Sequence, residues 1–436
     1  MGYQYLTLRD DVVSARFGGV FSALIVAAPW FIFRVPGTSL SIVDVLITLA
    51  LLMVLAHLVQ YEVPASSNIA RQKGLFYLGF AFMFLGLFSG IEAILFARGV
   101  YSVKALFESN IQYGFIMLVF PAIALYFVKI FNIRTFLRLV GLAYLIPMVI
   151  SILLIYPGTP EYLKEIFFTA GRARGVYGNP NAFAGVLAIT TSIYVVLGIV
   201  DKGIWKLVGI IGLPMALANL LITASFGGVL VFVCIVVLNF ILSFFWRRHP
   251  FRSHPAKSLQ LLLIVIVIGI ATFMLIKDSE YTEGMRTARL DQISSLGEGA
   301  DVKDFGSAAI RIALIDESFE MITSRGGGIF GHGLGQSKHV SKYNYDVHLL
   351  YLLLWIEGGV VLLGVYLLFL ILLLRNAIAL AAIDPPTGLA MGMGVVAIIL
   401  YGLVNPHIYL RYYWIPVLPC FVNFGYIWDK VTIPQK

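Results

Sequence analysis

The sequence predicts an all-α, polytopic integral membrane protein of about twelve transmembrane helices, with one long extracytoplasmic loop containing amphipathic helices. Three observations predict it. Hydrophobic residues make up 60% of the chain, charged residues only 12%, and the mean hydropathy is +0.91, far outside the range of soluble domains. Apolar runs of span length alternate with short polar breaks. A single long hydrophilic stretch, Asp278 to Val347, interrupts this rhythm. A transmembrane β-barrel would instead show alternating segments of about ten residues, and Leu259 to Ile276 (LQLLLIVIVIGIATFMLI) does not alternate.

The spans are expected near residues 17–35, 39–59, 74–97, 111–130, 136–156, 181–200, 204–224, 227–246, 258–277, 348–374, 387–404 and 408–428. The whole chain, 1–436, therefore reads as one transmembrane domain, with residues 278–347 inserted as a loop between the ninth and tenth spans. Phe17 to Phe33 lacks a small-residue cleavage site and runs into a second span, so it reads as a retained helix. With the N-terminus inside, the inner segments, including Arg247, Arg248, Arg252 and Lys257, carry more than twice as many basic residues as the short outer loops. Both termini are thus expected in the cytoplasm and the long loop outside. The net charge of +8 does not indicate nucleic acid, because the excess lies in inner loops, where anionic membrane lipids account for it.

Cys234 and Cys420 both fall in expected spans and suggest neither a disulfide nor a metal site. No CxxC, HExxH or DxD-type cluster occurs, so catalysis is expected to need neither metal nor cofactor. In the third span Glu92 is a functional candidate because a carboxylate in a membrane is costly. A structural pairing with a basic group such as Arg98 is the preferred reading, and Asp44, at the turn into the second span, is read similarly.

The stretch Glu161 to Ile189 is richer. Pro180 suits a first helical position with Asn179 as its cap, so the sixth span starts there. Helix N-termini attract anions, and Arg172 and Arg174 arrive just before this one. Two guanidiniums beside a helix N-terminus, with Asn179 and Asn181 in the turn, describe a phosphate or diphosphate site.

Within the long loop, a first amphipathic piece places Arg286 and Arg289 one helical turn apart. A second, Ala308 to Ile322, aligns Ile312, Ile315, Phe319 and Ile322 on one side, keeps Glu317 and Glu320 away from it, and sets Arg311 near the border. Such helices lie in the membrane interface. The glycines of GGGIFGHGLG follow no strand, so a tight backbone turn accounts for them better than a nucleotide loop. The tenth span is expected to begin at His348, with Tyr351, Leu352, Trp355 and Gly359 on its face and Glu357 opposite. Tyr351 and Trp355 form an aromatic stripe on which a sugar or isoprenoid can lie. His407, Arg411 and several tyrosines follow on the same side, and His332 and His339 are the alternatives to His348 as the working histidine.

These motifs resemble the bacterial O-antigen ligase and polymerase superfamily. Arg172 to Gly175 and the GNPN turn at 178–181 precede a mid-chain span; Arg311, the GHGLG turn at 331–335, and His348 with Glu357 and Gly359 follow in order. Leu349 departs from the pattern, standing where many members have a polar residue. The resemblance implies an inverting, metal-independent glycosyltransferase of the bacterial inner membrane with its active site toward the periplasm. Its donor would be a glycan on undecaprenyl diphosphate. Arginines, here Arg172, Arg174, Arg311 and Arg289, would hold the diphosphate, and a histidine, here His348, would deprotonate the acceptor hydroxyl. Both roles suit the chemistry of these side chains. A ligase would use lipid A–core as acceptor and a polymerase a second lipid-linked glycan; a chain-length regulator protein is a further partner. A lipid-linked oligosaccharide flippase fits the span count, but the gathering of Arg and His at one face argues against it.

Overall fold

The computed structural model describes residues 11–30, 33, 41–60, 73–96, 102–130, 132–155, 158–169, 172–245, 254–276, 307–324, 327–406 and 409–424. Helices dominate. In chain order they are α1 (Asp11–Ala27), α2 (Ile42–Gln60), α3 (Lys73–Leu95), α4 (Val103–Gly114), a π-helical turn (Phe115–Val119), α5 (Phe120–Ile130), α6 (Ile133–Leu153), α7 (Glu161–Phe167), α8 (Pro180–Val200), α9 (Gly203–Thr223), α10 (Phe226–Phe245) and α11 (Pro255–Ile276). After them come α12 (Ser307–Ser324), the short α13 (Ser337–Val340), α14 (Leu350–Ile383) and α15 (Pro385–Tyr401). The one sheet among the described residues is a two-residue pairing of β1 (Phe168–Thr169) with β2 (Arg172–Ala173).

Among the described residues, six helices are long and apolar enough to cross a membrane: Lys73–Leu95, Val103–Val128, Ile133–Leu153, Pro180–Val200, Gly203–Thr223 and Leu350–Ile383. Five shorter apolar helices among the same residues stand where further spans were expected. The last expected span, 408–428, takes another form. Among its described residues the chain makes two short 3-10 helices, Arg411–Tyr413 and Ile415–Phe421. Pro416 and Pro419 supply no N–H and cannot sustain a long α-helix, yet the segment is buried in the bundle.

The centre of the bundle is α8, buried along nearly its whole length and packed by α9, α10 and α15. Close approach there relies on small residues. A Cβ on Gly209 would lie 2.1 Å from the backbone nitrogen of Gly198, so α8 and α9 touch backbone to backbone. Arg411 forms an ion pair with Asp44 at 2.5 Å and lies over the Phe115 ring, tying the 3-10 segment to the start of α2 and to the π-turn. Asp44 also accepts from the Ser41 amide and hydroxyl, each at 2.9 Å, so both residues of the pair serve structure.

At the C-terminal end of α8, about 30 Å from its start, the Asp201 carboxylate is buried between Arg134 (2.7 Å) and Arg138 (2.9 Å). Burial alone would raise its pKa, but the two guanidiniums outweigh it and hold the carboxyl below its usual range.

Candidate functional site

The other end of α8 gathers the polar groups. Asn179 caps the helix, its side chain accepting from the Asn181 amide at 2.8 Å, and Pro180 takes the first position. Just upstream, β2 and the residue after it present Arg172 and Arg174 in different directions. Arg172 donates through Nε to the Thr223 carbonyl (2.8 Å) at the end of α9, and through Nη2 to the Asn181 side chain (3.3 Å). Arg174 turns back toward α7, donating to the carbonyls of Glu165 and Ile166. Arg172 is thus the guanidinium held against the α8 N-terminus.

The start of α14 is bonded to α15, the helix that also reaches α8. The Leu350 amide donates to the Gly402 carbonyl at 2.8 Å, and the Tyr351 hydroxyl to Ile399 at 2.8 Å. One residue before Gly402, the Tyr401 hydroxyl donates to the Asn181 carbonyl. Carbonyls that α15 cannot satisfy within its own last turns thereby accept from α14, while Tyr401 reaches to α8. Two helix N-termini, each carrying partial positive charge, are thus both tied to the C-terminal end of α15, the α8 end also carrying Arg172.

His348 precedes α14, which begins at Leu350 with Leu349 as an N-cap that offers no side-chain oxygen. The helix therefore starts two residues later than expected. His348 Nδ1 lies 3.0 Å from the Asp346 carbonyl. A carbonyl only accepts, so Nδ1 carries a proton, and in the neutral ring Nε2 holds the lone pair.

The glycine-rich stretch makes a tight turn, with φ of +75° at Gly331, +98° at Gly333 and +74° at Gly335. It docks on a break in α14 at Gly359, where φ is +72°. In an unbroken helix the Val360 amide would bond to the Ile356 carbonyl. Instead it donates to Gly328 at 3.0 Å, and Ile356 accepts from the His332 amide at 2.8 Å. The Trp355 indole also donates to Gly328, at 2.9 Å. Its ring is therefore pinned to the loop, although the sequence suggested a stacking platform. Gln336 closes the turn by bonding both backbone groups of Ser102 at the start of α4, at 2.8 and 2.9 Å.

Glu357, which the helical pattern set opposite the His348 face, is buried beneath this loop. Its carboxylate accepts from the Ser337 amide at 3.2 Å, and the Ser337 hydroxyl donates to Asp346 at 2.6 Å. None of Ser337, Asp346 and Glu357 was singled out as a site residue from the sequence. Glu357 carried two signals, a carboxylate inside an apolar run and its place in the motif that begins at His348, while Ser337 and Asp346 carried none.

The other expected residues fall as follows. His332 is fully buried beside Gly327, and His339 is exposed on α13. Arg311 belongs to α12, but its side chain lies outside the described residues, as do Arg286, Arg289, Arg98 and His407. Ile312 and Phe319 on α12 face outward, and Glu317 is buried, accepting from the Ser341 hydroxyl (2.7 Å) and the Lys342 amide (2.5 Å). The expected division into an apolar and a polar side is not kept: Ile322 is buried while Ile312 and Phe319 are exposed, and the packed side carries Glu317.

Fold and site define a class: a multi-helix membrane protein with polar groups at two helix N-termini that are both bonded to the end of α15. Residues 211–367, from within α9 to within α14, match the family model described as O-Antigen ligase, and this supports membership of the O-antigen ligase superfamily. The matched segment contains Arg311, the glycine turn, His348, Glu357 and Gly359, while Arg172 to Asn181 lie before it. A search of curated proteins found no match.

Proposed function

We propose that this protein transfers a glycan from undecaprenyl diphosphate to an acceptor sugar hydroxyl, as an O-antigen ligase with lipid A–core as acceptor. The family match supports membrane glycan transfer of the ligase or polymerase type. The observation that carries the finer reading is the meeting of the Arg172–Asn181 turn and the His348–Tyr351 segment on consecutive residues, Tyr401 and Gly402. In this reading Arg172, with the α8 N-terminus, binds the diphosphate and neutralises it as it leaves. Arg311 and Arg289 from the loop, and Arg174 at its rim, add positive charge. Nε2 of His348 takes the proton from the attacking hydroxyl, the new bond forms at the anomeric carbon with inversion, and undecaprenyl diphosphate departs.

Purified protein given an undecaprenyl-diphosphate glycan together with lipid A–core, or with a second lipid-linked glycan, tests this. Glycan found on the core is the expected result. Glycan found only on lipid-linked acceptor identifies a polymerase, and turnover with neither acceptor overturns the proposal.

A further inference from the structure

We infer that Glu357, Ser337 and Asp346 form an orienting relay that sets the working geometry of His348. The inference rests on the proposed role of His348 as the base. It starts from one serine that serves two carboxylates. Ser337 gives its amide to Glu357 at 3.2 Å and its hydroxyl to Asp346 at 2.6 Å. Asp346 in turn offers its backbone carbonyl to His348 Nδ1 at 3.0 Å.

The two inner links have a reason to be rigid. Glu357 is 4% exposed and Ser337 2%, so neither can exchange its partner for bulk water without local opening. The backbone under Glu357 is fixed as well, because its carbonyl accepts from the Gly333 amide at 2.6 Å across the break in α14. That break allows the loop carrying Ser337 to reach a carboxylate in the middle of an apolar helix. From there the chain of contacts runs to the residue two before His348.

A carbonyl on Nδ1 selects the tautomer that a base needs, with the lone pair on Nε2. The relay keeps that carbonyl where it is. Leu349 cannot do so, since it has no polar side chain. In this chain the ring is oriented from Asp346, on its N-terminal side. Ser337, Asp346 and Glu357 are therefore positioning residues, acting through His348 and touching no substrate.

The test is a double-mutant cycle on the purified full-length protein with the lipid-linked donor and core acceptor described above. Ser337→Ala is expected to lower kcat about tenfold to a hundredfold, leaving the donor KM within about twofold of wild type. Ser337→Thr, which keeps a hydroxyl, recovers most of the rate. In a His348→Ala background, Ser337→Ala has no further effect on the residual rate. Losses that multiply in the double variant, or a Ser337→Ala enzyme with wild-type kcat, overturn the relay and leave the proposed function standing. Full activity in His348→Ala overturns the role of His348 itself, and the relay falls with it.

Discussion

The amide of Gly333 donates to the carbonyl of Glu357 at 2.6 Å, a carbonyl that an unbroken α14 would offer to its own next turn. This contact fastens the loop to the helix, and it exists because Gly359 adopts a conformation that breaks the helical ladder.

Side chains at the break should therefore be poorly tolerated. A Cβ on Gly359 would meet the Ile329 carbonyl oxygen at 1.8 Å, and one on Gly331 the Glu357 carbonyl at 2.4 Å. Each residue also has positive φ, a conformation that costs an alanine on the order of 1–3 kcal/mol. Gly359→Ala and Gly331→Ala are expected to lower the unfolding temperature in detergent and to abolish transfer. Gly364→Ala, on the same helix with nothing within 4 Å of its Cβ, should leave both unchanged.

Arg172 should not accept lysine. Its guanidinium bridges the Thr223 carbonyl and the Asn181 side chain through two different nitrogens, and an ammonium lacks that planar fork. Arg172→Lys is expected to raise the donor KM tenfold or more, equivalent to about 1.4 kcal/mol, in steady-state assays at fixed acceptor. An unchanged KM would remove Arg172 from donor binding.

Tyr351 and Tyr401 anchor the two helix N-termini on α15. Phenylalanine at 351 removes one part-buried hydroxyl bond, a loss of about 1 kcal/mol. At 401 it also removes the bond that the hydroxyl accepts from Asn405, so both variants should show a fall in thermal stability, the larger at 401. The expected kinetic signature is a drop in kcat/KM in both variants, because the proposed function uses both helix ends.

Acid should weaken the far end of the bundle. Asp201 is held below its ordinary pKa by Arg134 and Arg138. A depressed carboxyl stabilises the fold above the unfolded value of about 3.9, and that contribution disappears as pH falls toward the folded value. Melting curves from pH 7 to pH 3 should therefore show a steeper loss for wild type than for Asp201→Asn, whose amide does not titrate there.

How far the sequence revealed this arrangement follows from the range of the interactions. Capping and proline placement are local, so the start of α8 at Asn179 and Pro180 was readable, as was a tight turn at the glycines. The contact of Gly198 on α8 with Gly209 on α9, the docking of the loop on Gly359 and the bonds joining Ser337 to two carboxylates link residues of different elements, and no local pattern encodes them. Two expectations failed for different reasons. In α12 one side faces outward and the other packs on the chain, so an apolar stripe alone could not say which was which. For residues 408–428 hydropathy recorded apolar content and ignored what Pro416 and Pro419 do to a helix.

The most direct test of the central claim separates donor binding from transfer in two variants, His348→Ala and Arg172→Ala. Binding of undecaprenyl-diphosphate glycan to the purified proteins, followed by transfer to lipid A–core in a single turnover, should find His348→Ala binding donor as wild type does while transferring at least a hundredfold more slowly, about the contribution of a general base. Arg172→Ala should lose donor affinity. Transfer by His348→Ala at the wild-type rate would contradict the account.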